Sequence, residues 1–308
     1  MPTVFLGTSD FAAAVLEGLA AAGEAPAIVV SRPDRPKGRG RRLASPPAVE
    51  AARRLGIEVQ QPADVNSAEA LAAIEAANPD VLCLCAYGAI IREPLLSAHP
   101  MLNLHPSLLP RWRGAAPIER AIMAGDEKTG VSIMRLGAGL DDGPVGLVAE
   151  ESIDASDTYG GLAKRLQALG SPLLLRALRE PLEFVAQDDQ AATYADKITA
   201  EDRRLDPARP AVELERVVRA LHPHIGARLE APHGPTLGVE SSRVAPEVDA
   251  PPPAGTLLAA GDRLLLGCTP GTLELLEVKP PGARAMAAAD YLRGHGPPSA
   301  PQASRSGP

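Results

Sequence analysis

The chain has 308 residues, of which 45% are apolar and 22% charged, so it has the composition of a globular protein and the length of two ordinary domains. Aromatic residues make up only 3%, and the core is therefore expected to consist mainly of Ala, Val, Leu and Ile. The net charge of −7 argues against a general polyanion-binding protein.

The first half of the chain alternates short apolar runs with amphipathic stretches. The predicted strands are Thr3–Leu6, Ala27–Ser31, Val81–Ala86, Met101–His105 and Val131–Leu136. The predicted helices are Phe11–Ala21, Pro47–Leu55, Ala68–Ala77 and Pro117–Ala124. This alternation predicts an α/β fold with a Rossmann-like, doubly wound and mostly parallel sheet. In such sheets ligands bind at the carboxyl ends of the strands.

The second half of the chain changes character after a helix predicted over Thr158–Leu178. A polar stretch leads to a short helix and then to short strand-like runs broken by Gly and Pro, which favour a small β-barrel of the OB type. We expect an α/β domain over residues 1–186, a linker over 187–210, a barrel domain over 211–293 and a disordered tail over 294–308.

Three cysteines, Cys83, Cys85 and Cys268, do not make a disulfide framework and lack the second pair expected of a zinc site. The N-terminus has no basic n-region of a signal peptide. The longest apolar run, Val81 to Ile91, is too short to cross a bilayer. We therefore expect a cytoplasmic protein without a resident metal or a membrane segment.

The most informative stretch, Asn103 to Ile118, begins on a predicted strand. Asn103 and His105 are two residues apart, so their side chains share one face near the strand's carboxyl end. An amide beside an imidazole suits acyl transfer, because the amide can stabilise an oxyanion and the imidazole can donate or move a proton. The alternative is a buried Asn–His pair that only satisfies a loop.

A carboxylate follows the next predicted strand, in the turn Gly139-Leu140-Asp141-Asp142-Gly143. At the end of a neighbouring strand, Asp141 could orient His105 and stabilise a positive charge on it. By itself, an Asp-Asp-Gly sequence is usually only a turn.

A basic segment runs from Arg32 to Arg42 and carries six basic residues and one acidic residue, a local charge of +5. Its two glycines and two prolines disfavour regular structure, so we expect it to be mobile alone and ordered on a nucleic acid. The alternative is a solvated run of charges.

Together these motifs resemble the family of formyltransferases that use 10-formyltetrahydrofolate. That family carries an Asn-x-His strand, a Ser-Leu-Leu-Pro loop and an Asp in a Gly-Leu-Asp turn. The match covers roughly residues 2 to 290. The segments similar to the branch that acts on a charged tRNA are Gly7–Ala12, Pro33–Gly40, Pro110–Ile118 and Thr193–Lys197.

The resemblance implies an enzyme that moves a formyl group from 10-formyltetrahydrofolate to the amino group of a charged initiator tRNA, with no metal and no obligate protein partner. The implied catalytic residues are Asn103, His105 and Asp141. The implied folate contacts are Ser107, Leu108, Leu109, Pro110, Cys85, Ala86, Tyr87, Gly88 and Ile90. The implied tRNA contacts are Arg35, Lys37, Arg39, Arg41 and Arg42, to which the C-terminal domain adds further backbone contacts.

Two stretches depart from the family's pattern. Asp142-Gly143-Pro144 stands where the family usually has Thr-Gly-Asp, and His222-Pro223-His224 stands where it usually has Asn-Pro-Trp. Two other functions stay open, namely transfer to a sugar nucleotide or another small amine, and tRNA binding without catalysis. The basic segment and the second domain argue against a small acceptor, while the intact Asn103, His105 and Asp141 argue against a non-catalytic protein.

Overall fold

The computed structural model describes residues 1–37, 40, 42–230, 236–246, 248 and 250–296. The chain divides into two compact units. The first comprises residues 1–117, 128–152 and 163–196, and the second comprises residues 118–127, 153–162 and the chain from 197 onward. The second unit thus includes two stretches, 118–127 and 153–162, that the sequence assigns to the first domain. Within the described ranges, every helix is too short or too polar to cross a bilayer.

A seven-stranded sheet forms the centre of the first unit. The strands of this unit are β1 (Thr3–Gly7), β2 (Ile28–Val30), β3 (Arg35–Lys37), β4 (Arg42–Ala44), β5 (Glu58–Gln60), β6 (Val81–Cys85), β7 (Met101–His105), β8 (Arg113–Gly114), β9 (Lys128–Arg135), β10 (Val145–Ser152) and β11 (Tyr194–Ala195). The order in the sheet is β10-β9-β7-β6-β1-β2-β5. The five strands from β7 to β5 are parallel to one another. Strand β9 is antiparallel to both of its neighbours, β7 and β10. The predicted mostly parallel, doubly wound sheet is confirmed.

Six helices follow these strands along the chain, α1 (Asp10–Ala21), α2 (Pro47–Arg54), α3 (Ala68–Ala76), α4 (Leu95–Ala98), α5 (Pro117–Ala124) and α6 (Tyr159–Arg179). Residues 118–124 of α5 and 159–162 of α6 belong to the second unit. Helix α1 begins where the Ser9 hydroxyl accepts a hydrogen bond from the Ala12 N–H, the arrangement of an N-cap. Strands β1 and β6 are buried at every position, as expected of the central strands of a parallel sheet.

The register of the central strands decides where polar side chains can gather. Gly7 pairs with Cys85, and Cys85 pairs with Leu104, so β1, β6 and β7 end side by side. Adjacent strands lie about 4.8 Å apart, which places the ends of β1 and β7 about 10 Å from each other. Residues that follow these three strands therefore share one edge of the sheet.

The basic segment contains regular structure that the sequence analysis does not predict. Strands β3 and β4 form an antiparallel hairpin in which Arg35 pairs with Ala44 and Lys37 with Arg42. The expectation of an irregular segment was therefore wrong for four of its residues, Arg35–Lys37 and Arg42. A two-stranded ribbon has only edge strands, and an edge strand tolerates a proline such as Pro36. Positions 38, 39 and 41, and hence the predicted contacts Arg39 and Arg41, lie outside the described residues.

The second unit is built on an antiparallel sheet. Its strands are β12 (Ala227–Glu230), β13 (Thr236–Val244), β14 (Leu257–Ala260), β15 (Arg263–Gly267), β16 (Thr272–Lys279) and β17 (Met286–Ala287). The path β12-β13-β16-β15-β14, with β17 beside β16, does not close in the described residues. The predicted small C-terminal β domain is confirmed, but its strands form an open sheet and not a closed barrel, because β12 and β14 do not pair in the described residues.

Two further helices, α7 (Ala211–Leu221) and α8 (Ala288–His295), complete the second unit. Helix α7 buries Leu214, Val217, Val218 and Leu221, the spacing of one helical face, in the core that contains the sheet's apolar side chains. Helix α8 includes Gly294 and His295, which the sequence analysis assigns to a disordered tail. The burial of Tyr291 in the same core explains the longer helix. Residues 297–308 of that tail lie outside the described residues.

A carboxylate ties helix α5 to the start of the C-terminal segment within the second unit. Asp202 accepts hydrogen bonds from Arg120 at 2.7 and 3.0 Å and from the Thr199 N–H at 2.8 Å. The hydrogen bond from Arg120 is the main cause that lowers the pKa of Asp202 from 3.8 to about 2. The ionised carboxylate therefore stabilises the folded protein at neutral pH.

Replacing Asp202 with Asn should lower the free energy of unfolding at pH 7 by roughly 1 to 3 kcal/mol, since the charged partner of Arg120 is lost. Because the folded-state pKa is depressed, this contribution is complete above pH 3.8 and is lost as the pH falls towards 2. Urea denaturation at pH 7 and pH 3 should show the difference from the unmodified protein shrinking at the lower pH. Glu201→Gln, an exposed neighbour, is the control and should have little effect at either pH.

Candidate active site

The carboxylate of Asp141 is the point at which the predicted catalytic residues meet. The Asn103 Nδ2 group donates to Asp141 Oδ1 at 3.1 Å, and His105 Nδ1 lies 3.5 Å from Asp141 Oδ2. The backbone N–H of Gly114 also donates to Oδ2, at 2.9 Å. Strand β7 and the turn after β9 thus bring together an amide, an imidazole and a carboxylate that are up to 38 residues apart in the chain.

A hydrogen bond of His105 fixes the position of one hydrogen on its ring. His105 Nε2 lies 2.8 Å from the carbonyl oxygen of Trp112. A carbonyl oxygen only accepts hydrogen bonds, so Nε2 carries a hydrogen and Nδ1 is the nitrogen that faces Asp141. The His105 side chain is only 5% exposed, whereas the Asp141 side chain is 14% exposed and Asn103 is half-buried. Asn103 and Asp141 are therefore the more accessible members of the trio.

The backbone is unusual at the same place. Of the four non-glycine residues with positive φ in the described ranges, three lie in this region: Ala86 at 45°, Trp112 at 64° and Asp141 at 48°. Such a conformation costs about 1–3 kcal/mol per residue and persists where surrounding contacts hold it, often at a functional site. The carbonyl oxygen of Trp112 contacts His105, and the carboxylate of Asp141 contacts Asn103. Both turns are therefore tied to the residues on β7.

The predicted Ser-Leu-Leu-Pro loop is fixed by its own hydrogen bonds. The buried Ser107 hydroxyl donates to the Arg111 carbonyl at 2.6 Å, and Ser132 Oγ donates to the Ser107 carbonyl at 2.7 Å. Leu108, Leu109 and Pro110 are half-buried and so present part of their surface. The hydroxyl of Ser107, in contrast, is already engaged within the loop.

The second predicted folate segment, Cys85 to Ile90, alternates in exposure. Ala86, Gly88 and Ile90 are exposed, whereas Cys85 and Tyr87 are buried. Burial raises the pKa of the Cys85 thiol and, opposed by the charge of Arg32, raises that of Tyr87 to about 12, so both groups stay neutral. The side chain of Cys85 is thus covered, and only its main chain can face a ligand. None of these folate contacts is tested by the structure, and they stay predictions.

A cavity of about 390 Å³ opens beside this segment, at the carboxyl ends of β1, β2 and β6. The Thr8 hydroxyl donates to the Tyr87 carbonyl at 2.8 Å and so links the turns after β1 and β6. The residues that line the cavity include Thr8, Ser9, Arg32, Arg35, Ala86 and Gly88. One wall therefore comes from the predicted folate segment and another from the basic segment.

Asp34, the one acidic residue of the basic segment, is hydrogen-bonded to two neutral side chains. Asp34 accepts hydrogen bonds from Gln61 at 2.7 Å and from the Ser45 hydroxyl at 3.1 Å, and the first of these is the main cause that lowers its pKa. In the part of the chain that the structure describes, neither Arg35 nor Arg42 is in an ion pair with a carboxylate. The charges of Arg35 and Arg42 are therefore not neutralised by a carboxylate of the described residues and can interact with an anionic partner.

Residues 187–195, which the sequence analysis does not assign to the site, contact the turns of Asp141 and Trp112. The stretch 187–195 contacts the turn of Asp141 through Gln187 and the turn of Trp112 through Thr193 Oγ1, which accepts from the Trp112 N–H at 2.9 Å. Strand β11 pairs with β8 in the same stretch. The resemblance of Thr193–Lys197 to a family segment signalled part of this contact, but nothing in the sequence pointed to Gln187.

The His222-Pro223-His224 stretch lies in the second unit. His224 Nε2 lies 2.9 Å from Glu119 Oε1, and its ring stacks on Tyr159 with ring centroids 3.6 Å apart. His222 Nδ1 lies 3.4 Å from Glu240 Oε2. Among the described residues there is no group of three or more His, Cys, Asp or Glu side chains arranged to hold a metal.

Residues 1–178 match the family model described as "Formyl transferase", and residues 197–296 match that described as "Formyl transferase, C-terminal domain". A Rossmann-like sheet with this polar trio at its carboxyl edge, together with the first match, defines an enzyme of the formyl-transfer class. The curated methionyl-tRNA formyltransferase of Halorhodospira halophila is 44% identical over 94% of this chain and 95% of its own length. That of Methylococcus capsulatus is 41% identical over 96% of this chain and 97% of its own length. The chain belongs to the methionyl-tRNA formyltransferase family.

Among solved structures, the N-formyltransferase from Helicobacter canadensis, in complex with folinic acid and dTDP-3-aminofucose, is similar with a TM-score of 0.65. It is 14% identical, and the match covers 93% of this chain and all of that chain. At this identity the likeness shows the fold.

Gly114 offers a direct test of how closely the site is packed. Its φ is +119°, and a Cβ atom there would lie 2.9 Å from the carbonyl oxygen of Ala195. Gly114→Ala should therefore displace the N–H that donates to Asp141 and lower turnover by about tenfold or more. Initial rates at saturating substrates and thermal unfolding should be measured together.

Gly56→Ala is the matched control for this variant, because Gly56 has a φ of +72° but no atom within 4 Å of the position that a Cβ would occupy. It should lose about 1 kcal/mol of stability from backbone strain and keep its turnover. Equal turnover in the two variants would contradict a role for the Gly114 backbone.

Proposed function

We propose that this chain transfers the formyl group of 10-formyltetrahydrofolate to the α-amino group of methionyl-tRNA, giving N-formylmethionyl-tRNA for the initiation of translation. The observation that carries the proposal is the Asp141-centred trio at the carboxyl edge of the sheet. It is supported by curated relatives that bear the name methionyl-tRNA formyltransferase and match almost the whole chain.

The reaction begins with attack of the neutral α-amine on the formyl carbon. An α-amino group titrates near pH ~8, so its deprotonation is not a large barrier. As the new C–N bond forms, the formyl oxygen gains negative charge. The Asn103 amide nitrogen carries two hydrogens, and since one donates to Asp141 the other is available for this oxygen. Asp141 thereby presents the nitrogen of Asn103, and not its oxygen, to the substrate.

The reaction is completed when the bond between the formyl carbon and N10 of the folate breaks. The amine loses one proton and N10 gains one, so the net change is the movement of a proton from one nitrogen to the other. Asp141, the more exposed titratable member of the trio, assists removal of the proton from the amine, and it supports charge on His105, whose Nδ1 it faces. No covalent enzyme intermediate is required.

The folate would lie along Leu108, Leu109 and Pro110 and along the exposed part of the segment Ala86–Ile90. These positions flank the trio through the pairing of β6 with β7 and offer main-chain groups and half-buried apolar surface to a flat ring. The donor's formyl group would then lie over Asn103.

The acceptor would approach from the other side of the same edge. The cavity beside Ala86 is rimmed by Arg32 and Arg35, which suits an aminoacylated RNA end that is apolar at the amino acid and anionic at its phosphates. The charged hairpin continues this surface. Because charged tRNA is used in the cytoplasm, we place the enzyme there.

The two alternative functions have less support. Transfer to a sugar nucleotide rests only on a likeness in fold at 14% identity, whereas the relatives named methionyl-tRNA formyltransferase are 41–44% identical over almost the whole chain. A binding protein without catalysis would not need the hydrogen bonds that hold Asn103 and Asp141 together.

Replacing Asn103 with Ala should lower the rate of formyl transfer by about 10²–10³-fold, the effect of removing one oxyanion donor. Asp141→Asn should also be strongly impaired, because the group that faces His105 and receives the proton is lost. Affinity for a folate analogue should change much less in both variants. Single-turnover transfer from radiolabelled donor to charged tRNA measures the rates, with Asp142→Asn in the same turn as the control. Near-normal rates for both Asn103→Ala and Asp141→Asn would remove this site assignment.

Neutralising Arg42 in the hairpin, or Arg41, which precedes it in the sequence, should weaken tRNA binding and flatten its dependence on salt by about 0.7–0.9 in log–log slope for each lost phosphate contact. Arg39 is flanked by glycines in the sequence. Its replacement by Ala is expected to lower the rate of transfer more than the affinity for tRNA. Affinity and initial rate at several salt concentrations provide the measurement. Arg54→Ala is the control, since Arg54 pairs with Glu17 at the protein's surface. Unchanged slopes for Arg41→Ala and Arg42→Ala would mean that the segment is only a solvated face.

A further inference from the structure

The side-chain amide of Gln187 uses both of its N–H donors on the turn of Asp141 and its oxygen on Arg113. Its Nε2 group donates to the carbonyl oxygen of Asp141 at 2.9 Å and to that of Gly143 at 2.7 Å. Its Oε1 atom accepts from Arg113 Nε at 3.0 Å. The two donated bonds span 46 and 44 residues of sequence, so Gln187 connects the turn to a segment that is distant in the chain.

Arg113 fixes the orientation of this amide. A guanidinium group only donates, so it must face the oxygen of Gln187, and the nitrogen must then face the two carbonyl groups. Arg113 is 3% exposed and also donates to Asp189 at 2.8 Å. Burial opposes its charge, but the hydrogen bonds and charges of Asp189 and Tyr194 outweigh this and leave the pKa of Arg113 raised. The group therefore stays charged and cannot release the amide of Gln187 by losing a proton.

The turn needs such support because of its backbone. Asp141 has a φ of 48°, a left-handed conformation that costs about 1–3 kcal/mol and must be held by contacts. The peptide groups on its carboxyl side are those whose carbonyl oxygens Gln187 binds. Gln187 thus fixes the direction in which the Asp141 side chain leaves the backbone, and with it the distances to Asn103 and His105.

We propose that Gln187 is a positioning residue for formyl transfer, which acts by holding the turn of Asp141 so that its carboxylate orients Asn103 and faces His105. This inference rests on the role of Asp141 in the proposed function. Gln187 itself contacts main-chain oxygens and the Arg113 side chain, and no part of its action requires contact with either substrate.

Three variants separate this role from a merely structural one. Gln187→Leu removes all three hydrogen bonds. Gln187→Glu keeps the size of the side chain and an acceptor for Arg113, but it replaces the two N–H donors with an oxygen that the two carbonyl groups repel. Gln190→Leu is the control, because Gln190 is exposed and three residues away in the same segment. Each change is made in the full chain, alone and in an Asp141→Asn background.

Single-turnover formyl transfer and KM for both substrates should be measured, with thermal unfolding to show that each variant is folded. We expect Gln187→Leu and Gln187→Glu to lower the rate of transfer by about 10- to 100-fold with little change in KM. Gln190→Leu should match the unmodified protein. In the Asp141→Asn background the same changes at Gln187 should cost little, because residues that act as a unit are not additive.

The proposal is overturned if Gln187→Glu transfers formyl groups as fast as Gln190→Leu, since packing and the Arg113 contact would then be sufficient. It is also overturned if the Gln187 variants lose the same factor with and without the Asp141 carboxylate. Failure of the proposed catalytic site looks different, because Asp141→Asn alone would then show near-normal transfer. In that case the positioning role is rejected together with the site.

Discussion

The conformation of Asp141 is the constraint on which the candidate site depends. Its backbone is left-handed, and its carboxylate and carbonyl groups accept hydrogen bonds from Asn103, Gly114 and Gln187, which come from three separate parts of the first unit. Each of these bonds is of ordinary length, and each is individually modest in free energy. Together they hold a strained residue in one place, so that a small turn acquires the rigidity that the proposed oxyanion stabilisation requires.

The parallel sheet and the surrounding loops make different contributions to this arrangement. The register of β1, β6 and β7 determines that Asn103 and His105 emerge beside the turns after Gly7 and Cys85. It does not determine the angles at which the side chains meet. Those angles come from irregular backbone, notably the positive φ of Trp112, whose carbonyl oxygen fixes the ring of His105. Strain is thus concentrated in the loops, while the strands remain regular.

Much of the first unit follows from local patterns, because an apolar run or a 3.6-residue period reflects burial directly. Met101–His105 is predicted with its observed limits, the helix predicted over Pro47–Leu55 is one residue too long, and the shared face of Asn103 and His105 follows from strand geometry alone. The edge strand β5 is short and polar, and so it carries no such pattern. Gln187 could not be found in this way either, since a hydrogen bond to a backbone oxygen 46 residues away leaves no trace in either partner's side-chain type. The sheet of the second unit is open because its two end strands do not pair in the described residues. The alternation of apolar and polar residues within one strand does not indicate which other strand it pairs with.

The position of Gln187 and Thr193 in the chain has a consequence for the order of events on the ribosome. Domains generally fold as they are synthesised, beginning at the amino terminus. All seven strands of the large sheet end by Ser152, so the sheet can assemble while residues 187–195 are still inside the ribosome's exit tunnel. A nascent chain at that stage already holds Asn103, His105 and Asp141, yet it lacks the groups that fasten the turns of Trp112 and Asp141. In this order of synthesis the sheet can form before the proposed site is complete, and residues 187–195 supply the last of its hydrogen bonds.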